Sequence, residues 1–420
     1  LTPDNCIDEL ERVIREALRQ SMPAYLVISQ VNGVMPVIGT PVSGVPLAEV
    51  TRRRSDPTEL AAAVRAILAK VAAAQRPVAT VTTMTARYGV AGKAADFIRA
   101  ANLPVMLTPN DKGVLDESLP QFIGMYSAAS SRPPEVRDVV AQADLILDIG
   151  GVMLTELNTG LWGDVLDTSG AVCIHDDWVR SGTDVYLNVA IGDVLDALIA
   201  DVAPRERESG PLPTELELTG AGDEPTSSAN FYPRLQRRLR SGDTVVIETG
   251  TCMAYLNTMR LPAGVGAEGQ GLWGSIGWAT PAAMGVAMAK ASGRTWLVTG
   301  DGSHQLTLNE LAVMGRYGIA PVIFVLNNGL YGIEDIISER GHAYDDLAPV
   351  NYHLLPEAFG CTGWLTRKVG TVAELDAALD AIDAHDGAAY IEVMIPDEES
   401  QPLPDDVIDR GYKLRTPGGH

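Results

Sequence analysis

The sequence predicts an α/β protein with two doubly wound, mostly parallel sheets, one in the middle of the chain and one towards its C-terminal end. Helical patterns and short apolar runs alternate from residue 58 to residue 202, and the alternation returns from residue 229 onwards. Such alternation is typical of parallel sheets with helices on both faces. Residues 203–228 carry proline, glycine, serine and charge without periodicity, which indicates a linker between the two regions.

The first thirty residues form a separate small unit in this prediction. CIDELERVIREALRQ (6–20) has apolar residues at helical spacing, and AYLVIS (25–30) is an apolar run with the length of a strand. One helix and one strand are too little for a domain. Residues 31–57 contain prolines and glycines and are predicted to be a connector.

The middle region, 58–202, is predicted to form the first sheet. Three helical patterns, ELAAAVRAILAKVAAA, AGKAADFIRAAN and PPEVRDVVAQA, alternate with the strands PVATVTT, PVMLT and DLILDIG. AVCIHD is predicted to be a further strand, and GDVLDALIADV is the closing helix. This order favours parallel pairing of the strands.

In the last region, 229–420, which ends in a polar tail, three predicted strands end in residues suited to phosphate or metal. TVVIE leads into a turn at Gly250 and Thr251, TWLVTG into Gly-Asp-Gly, and PVIFVLNN ends in two asparagines. GLWGSIGWATPAAMGVAMA (271–289) adds a glycine-rich turn that enters a helix. The strands of a parallel sheet end at one edge, so we expect Asp301 and Asn328 to converge on one cation such as Mg²⁺.

Composition excludes some classes of partner. The chain has 420 residues, a formal net charge of -22 and a pI near 4.6, which argues against nucleic acid and anionic membranes as partners. The four cysteines show no CxxC spacing, which favours reduced thiols in a cytoplasmic protein. We find no apolar run of membrane-spanning length and expect no signal peptide.

The motifs together resemble one enzyme family. ETGT, LWGSIG, GDGS-QLT-E and NN--Y-IE are similar to the diphosphate-binding (PP) domain of the thiamine diphosphate (ThDP)-dependent pyruvate and indolepyruvate decarboxylases. YSAASS, ELNTG and KGVLDE resemble segments of that family's central domain. The resemblance implies ThDP and Mg²⁺ as cofactors and a small 2-oxo acid as substrate.

The resemblance also implies roles for the matching residues at the cofactor. Mg²⁺ would be held by Asp301, Asn328 and the backbone carbonyl of Leu330. The phosphate groups would be contacted by Gly250, Thr251, Gly302 and Ser303. The carbonyl of Gly274 would accept from the aminopyrimidine, and Ile276 would force the cofactor into a bent shape that brings its amino group beside the thiazolium C2.

Further roles concern the substrate. Glu334 would assist loss of CO₂ and the protonation that follows, and Thr249 would orient the substrate carboxylate or a water. Ile333 would contact the cofactor and would line the substrate pocket together with Met253 and Ile337. Because methionine adapts its shape, Met253 favours a 2-oxo acid larger than pyruvate.

Each assignment has a plainer alternative. Ile276 at the start of a helix is also compatible with an ordinary core position, and Glu334 with the solvated face of an amphipathic helix. Thr249 is also a candidate cap of the helix that follows. His304, within GDGSHQ, is interpreted as a packing residue.

One departure from the family concerns the N-terminal pyrimidine-binding (PYR) domain. Residues 1–30 resemble only its last helix and strand, so its glutamate and histidine pair have no counterpart in this chain. The family forms its sites between subunits, which implies a homo-oligomer, a dimer or tetramer. We expect the PYR domain to come from a longer form of this protein or from a separate polypeptide.

The leading functional hypothesis is nonoxidative decarboxylation of pyruvate, phenylpyruvate, indolepyruvate or a branched-chain 2-oxo acid to an aldehyde and CO₂. The first alternative is a carboligase like acetolactate synthase, although the middle domain lacks a flavin-binding signature. The second is an inactive ThDP-binding fragment or subunit that needs a separate PYR chain.

Overall fold

The computed structural model of the chain describes residues 1–37, 53–151, 168–207, 210, 213–337 and 341–395, without the side chains of 129 and 335–337. The predicted ELNTG segment and the polar tail therefore lie outside the described residues. The predicted first helix spans Cys6–Gln20, and no side chain in it is fully buried. A short 3₁₀ helix, Asn32–Val34, follows.

The strand predicted over AYLVIS is wrong. Residues 22–29 form neither helix nor strand and pair with no neighbour in the described part of the chain, and Tyr25 is 90% exposed. Residues of high β-propensity form a stable strand only where a neighbouring strand and a packed face support it. No such neighbour lies beside this segment among the described residues.

The middle of the chain forms a seven-stranded sheet within the described residues. Its strands are β1 (Pro77–Val81), β2 (Val105–Leu107), β3 (Phe122–Met125), β4 (Leu145–Ile149), β5 (Val172–Ile174), β6 (Trp178–Ser181) and β7 (Asp184–Leu187). The order is β3-β2-β1-β4-β5-β6-β7. The first five strands in space are parallel, as predicted, whereas β6 and β7 form an antiparallel hairpin at the edge.

Helices cover this sheet. They are Pro57–Ala73, Thr83–Arg87, Ala91–Ala101, Glu135–Ala141 and Ile191–Asp201, with short 3₁₀ turns at Pro109–Asp111 and Ala128–Ser130. The first begins where Asp56 accepts from the backbone N–H groups of Thr58 and Glu59 at 2.8 and 3.0 Å, an N-cap followed directly by Pro57. Its residues Val64, Ile67 and Val71 pack into the main core of this region.

The second sheet is parallel throughout. It has six described strands, β8 (Thr244–Ile247), β9 (Gly266–Gly269), β10 (Thr295–Gly300), β11 (Val322–Asn327), β12 (Leu365–Val369) and β13 (Ala389–Met394), in the order β12-β13-β11-β10-β8-β9. Its central strands are apolar on both faces, because two separate clusters of buried residues pack against them.

Helices flank this sheet on both faces. They span Ser228–Arg238, Thr251–Thr258, Ala279–Ala289, Asp301–Gln305, Glu310–Tyr317, Gly332–Ile337, Leu355–Ala358 and Val372–Asp383, with a 3₁₀ turn at Tyr352–Leu354. No helix in the described ranges combines the length and hydropathy needed to cross a membrane.

A buried ion pair joins the two regions. Nζ of Lys112 lies 3.0 Å from Oε1 of Glu117 and donates to the carbonyl of Met259 at 2.8 Å. The other carboxylate oxygen of Glu117 accepts from the N–H of Leu261 at 2.8 Å. The KGVLDE segment of the first region is thus anchored to the backbone that precedes β9 of the second.

Candidate ThDP and metal site

The predicted site lies where β8, β10 and β11 end side by side. Pairing of Val298 with Ile247 and of Gly300 with Leu326 places the ends of the three strands level with one another. The segments that follow these strands begin at residues 248, 301 and 328. The structure therefore brings together the segments that the sequence predicted to meet.

Asp301, Asn328 and Leu330 form a cluster of oxygen atoms. One terminus of the Asn328 side-chain amide lies 2.9 Å from the carbonyl oxygen of Leu330 and 3.2 Å from Oδ1 of Asp301, and both of these neighbours are acceptors. With the amide nitrogen in this position, Asn328 donates to both. With the amide oxygen there, three oxygens face one another, which is the donor set of a hard cation.

The carboxylate of Asp301 is held by backbone groups. It is 2% exposed and accepts from the N–H groups of Gly302 and Gly329 at 2.9 and 2.8 Å. Burial raises the pKa of Asp301 to about 6, since no cationic side chain offsets the loss of water within the described residues. The described residues contain no group of three or more histidine, cysteine, aspartate or glutamate side chains arranged to hold a metal.

The loop after Asn328 is held by backbone hydrogen bonds to residues 345–347. The N–H of Tyr331 donates to the carbonyl of Asp345 at 2.8 Å, and the N–H of Leu347 donates to the carbonyl of Gly329 at 2.9 Å. The Tyr331 ring lies so close to Gly302 that a Cβ there would approach it to 2.5 Å. The glycine after Asp301 therefore allows the ring to close over this turn.

Gly250 and Thr251 form the turn between β8 and the helix Thr251–Thr258. Gly250 has φ 96° and ψ -148°, a conformation that only glycine adopts readily. The helix has no side-chain cap, so the alternative in which Thr249 caps it is wrong. Its first N–H groups remain available to an anion such as a phosphate. Ser303 lies in the helix Asp301–Gln305, which directly follows β10, and is buried.

Gly274 and Ile276 lie in an exposed turn before the helix Ala279–Ala289. Gly274 has φ 58° with open space around its Cα, and Ile276 is 37% exposed. Ile276 is thus no ordinary core residue in the described structure. Leu272 and Trp273 of the same turn and the nearby Leu306 are also exposed, at 42%, 81% and 55%.

The predicted substrate residues lie around the same edge. A Cβ on Gly250 would lie 3.7 Å from Cγ2 of Ile333, so Ile333 covers the Gly250 turn. Met253 packs against Gly269 and Gly271. A Cβ on Gly269 would lie 3.2 Å from its Cε, and a Cβ on Gly271 would lie 2.8 Å from its Sδ.

The remaining two predicted residues follow Asn328. Glu334 is exposed on the helix Gly332–Ile337, and the side chain of Ile337 lies outside the described residues. Their roles stay predictions.

His304 is a packing residue in the structure. It is fully buried, and its ring contacts Oγ1 of Thr280 through Nδ1 at 2.9 Å and the hydroxyl of Tyr390 through Nε2 at 2.8 Å. Burial lowers the pKa of His304 to about 4, so the ring is neutral at pH 7. Sequence reasoning missed two buried carboxylates beneath the site, Glu248 and Glu392, which are 1% and 0% exposed.

Two stretches of the chain match known families. Residues 64–199 match "Thiamine pyrophosphate enzyme, central domain", and residues 249–393 match "Thiamine pyrophosphate enzyme, C-terminal TPP binding domain". Fold and site together thus define a thiamine diphosphate-dependent enzyme. The chain is 31% identical over 406 residues to pyruvate decarboxylase isozyme 2 of Saccharomyces cerevisiae, a match that covers 93% of this chain and 71% of that protein. It belongs to the family of ThDP-dependent 2-oxo acid decarboxylases, which are carboxy-lyases.

Other relatives carry related names. Alpha-keto-acid decarboxylase of Mycolicibacterium paratuberculosis is 30% identical over 402 residues, covering 94% of this chain and 70% of that protein. A thiamine metabolism regulatory protein of S. cerevisiae is 28% identical over 431 residues, covering 96% and 68%.

A solved structure also resembles the chain. Benzoylformate decarboxylase from Polynucleobacter necessarius has a TM-score of 0.73 at 18% identity and covers 96% of this chain and 76% of that one. At this identity the likeness shows the fold, which confirms the predicted α/β architecture.

Proposed function

We propose that this protein catalyses the Mg²⁺-dependent, nonoxidative decarboxylation of a 2-oxo acid to an aldehyde and CO₂. The observation that supports the proposal most strongly is the meeting of Asp301, Asn328 and the carbonyl of Leu330 at one edge of the sheet. The helix that begins at Thr251 follows β8, the neighbour of β10, and has no side-chain cap at its N-terminus, where a diphosphate would bind.

The oxygen donors suit Mg²⁺. A carboxylate, an amide oxygen and a backbone carbonyl are all hard ligands, and Mg²⁺ usually completes its coordination shell with water and phosphate oxygens. Gly250, Thr251, Gly302 and Ser303 would hold the phosphates. The chain's net charge of -22 repels a diphosphate, so local N–H donors and a cation are needed to bind it.

ThDP, when bound, supplies the carbon that attacks the 2-oxo group and the electron sink for decarboxylation. Gly274 and Ile276 would hold and bend the cofactor. Thr249 would orient the substrate carboxylate, and Glu334 would hold and return a proton at the reacting carbon.

Met253 supports a substrate larger than pyruvate. It lies against the glycines of the segment that follows β9, and its unbranched chain can change conformation to make room. We therefore propose an aromatic or branched 2-oxo acid as the preferred substrate.

The exposed turn supports an assembly in which another domain covers the site. Leu272, Trp273, Ile276 and Leu306 together expose an apolar surface next to the cofactor turns. We propose that a PYR domain covers this surface, in a cytoplasmic homo-oligomer or in a complex with a separate PYR chain.

The test combines cofactor binding with turnover. We expect ThDP to bind the purified protein in a Mg²⁺-dependent manner by calorimetry, and D301N to lose this dependence. E334Q should bind ThDP and Mg²⁺ as the wild type does but release at least about 100-fold less CO₂ and aldehyde, the scale of a lost general acid. Failure of the wild type to bind ThDP with Mg²⁺ would contradict the proposal.

Product analysis separates the alternatives. With a panel of 2-oxo acids, an acyloin as the main product would indicate a carboligase. Binding without CO₂ release, restored by an added PYR chain, would indicate a subunit of a two-chain enzyme. A strong preference for pyruvate over phenylpyruvate would refute the substrate proposal.

A further inference from the structure

Glu248 is a buried carboxylate without a cationic partner. It directly follows β8 and is 1% exposed, and no lysine, arginine or histidine of the described residues forms an ion pair with it. An ionised carboxylate in such a place is costly unless several donors face it. Its surroundings therefore show what holds it there.

The donors come from three separate segments of the chain: the turn after β8, the start of the helix Ala279–Ala289 and the end of β10. Oε1 accepts from the backbone N–H of Thr249 at 3.1 Å. Oε2 faces the N–H of Ala279 and the hydroxyl of Thr299, each at 3.4 Å. The backbone N–H of Gly277 faces the same carboxylate and lowers its pKa. Burial raises the pKa of Glu248, and these donors oppose the shift.

These partners belong to the segments that would bind opposite ends of the cofactor. Thr249 precedes the Gly250 turn, assigned above to the diphosphate. Gly277 and Ala279 follow the turn of Gly274 and Ile276, assigned to the aminopyrimidine. Thr299 precedes Asp301 by two residues, at the end of β10.

We infer that Glu248 is a positioning residue that fixes the diphosphate turn and the aminopyrimidine turn relative to each other. The inference rests on the proposed function for the ligand of these turns, whereas the coupling between the turns rests on the contacts of Glu248 alone. A carboxylate can accept at both oxygens. Glutamine has the same shape, but its NH₂ group cannot accept hydrogen bonds. In E248Q the donors on one side of the residue therefore lose their acceptor, and the link between the two turns should be lost.

Asp243 provides a matched control at the opposite end of the same strands. It is 5% exposed and accepts from the N–H groups of Arg240 and Arg294 at 2.9 and 2.8 Å and from Nε1 of Trp296 at 3.0 Å. D243N therefore removes a buried carboxylate with a similar number of donors, far from the cofactor turns.

The first measurement is hydrogen exchange of the cofactor-free protein, followed by mass spectrometry. We expect E248Q to accelerate exchange by about tenfold in peptides from both turns, covering 249–258 and 271–283, as loss of a charged hydrogen bond implies. D243N should leave both peptides unchanged. Unchanged exchange in E248Q, or acceleration in only one peptide, would overturn the inference whether or not the protein binds ThDP.

The second measurement is ThDP affinity in the presence of Mg²⁺, where we expect E248Q to bind about tenfold more weakly and D243N to match the wild type. If the wild type binds no ThDP, the proposed function fails. The exchange data alone then show whether Glu248 couples the two turns. If E248Q does not fold, T299V removes one donor without changing side-chain shape and should accelerate exchange in the same two peptides to a smaller extent. No acceleration in T299V would then overturn the inference.

Discussion

The carboxylate of Glu392 accepts a 2.8 Å hydrogen bond from the side-chain amide of Asn327, the residue before Asn328. The two neighbouring asparagines thus have different partners. Asn328 faces Asp301 and Leu330, whereas Asn327 fastens the end of β11 to β13. Glu392 also accepts from the backbone N–H of His353 at 3.1 Å, contacts its Nδ1 at 2.6 Å and pairs with Lys368 at 3.2 Å.

Replacing Glu392 should destabilise the protein in a pH-dependent way. We expect E392Q to lower the free energy of unfolding by about 1.5–3 kcal/mol at pH 7, the range for hydrogen bonds to a charged group. Burial raises the pKa of Glu392, but the hydrogen bonds from His353, Asn327 and Lys368 outweigh it and hold this pKa below its usual 4.5. The stabilisation is therefore fully present above about pH 4.5 and is lost as the pH falls through the lower, folded-state pKa.

Urea denaturation at several pH values measures this effect. The difference between wild type and E392Q should shrink on acidification, and a constant difference would contradict the assignment. K368M serves as control because Lys368 is 42% exposed, so its loss should change stability by no more than about 1 kcal/mol.

His304 should make the protein sensitive to mild acid. Its pKa is lowered from 6.5 to about 4 by burial, so the unfolded state binds more protons than the folded state between these values. Stability is then full above about pH 6.5 and falls as the pH drops towards 4. Relative to H304Q, which does not titrate, the wild type should lose on the order of 3 kcal/mol of unfolding free energy across this range. Identical pH profiles for the two proteins would show that His304 is not held neutral.

The buried pair of Lys112 and Glu117 should dominate the stability of the contact between the two sheets. K112M leaves the Glu117 carboxylate buried without its cation, which typically costs about 3–5 kcal/mol. The double variant K112M/E117Q removes that charge as well and should be more stable than K112M. Thermal unfolding measures both.

The exposed pair of Lys93 and Asp196 is the matched control, with side chains 41% and 58% exposed. K93M should change stability by less than about 1 kcal/mol. If K112M and K93M had equal effects, the buried pair would not anchor the two regions.

Met253 should set the size of the substrate. Met253 lies beside Gly269 and Gly271, and its flexible side chain can move aside for a large substrate. The rigid aromatic ring of M253W would fill this space. We expect M253W to lower kcat/KM for phenylpyruvate by at least about tenfold while changing that for pyruvate much less, a size effect within the usual range for a hydrophobic pocket. A parallel loss on both substrates would place Met253 outside the pocket.

Much of the fold follows from local patterns. The helix Cys6–Gln20 has its predicted bounds, and TWLVTG forms β10 over Thr295–Gly300, because apolar spacing and strand length are local properties. The convergence of Asp301 with Asn328 was also predictable, since it requires only that neighbouring parallel strands end at one edge. The hairpin of β6 and β7 was missed, although its two-residue loop with Gly182 at φ 66° is a recognisable turn signal.

The buried carboxylates could not be predicted in the same way. Glu248 lies inside the ETGT motif, yet its partners Ala279 and Thr299 are 31 and 51 residues away. Glu392 is one acidic residue in an apolar strand, and its partners come from three other segments of the chain. Such contacts depend on tertiary packing, which no local pattern encodes. The failure at AYLVIS has the same origin, because pairing depends on a neighbouring strand.

The donor set of the cation site has a consequence for how its ligands bind together. Asp301 supplies the one negative charge among the three oxygens of the cluster, so a divalent ion placed there keeps an excess positive charge. A diphosphate would neutralise that excess charge. The metal ion in turn would offset the repulsion between the diphosphate and the negatively charged protein. Each ligand should therefore raise the affinity of the other by the same factor, as thermodynamic reciprocity requires. Cofactor and metal would then occupy the protein as a cooperative pair, and depletion of either would release both.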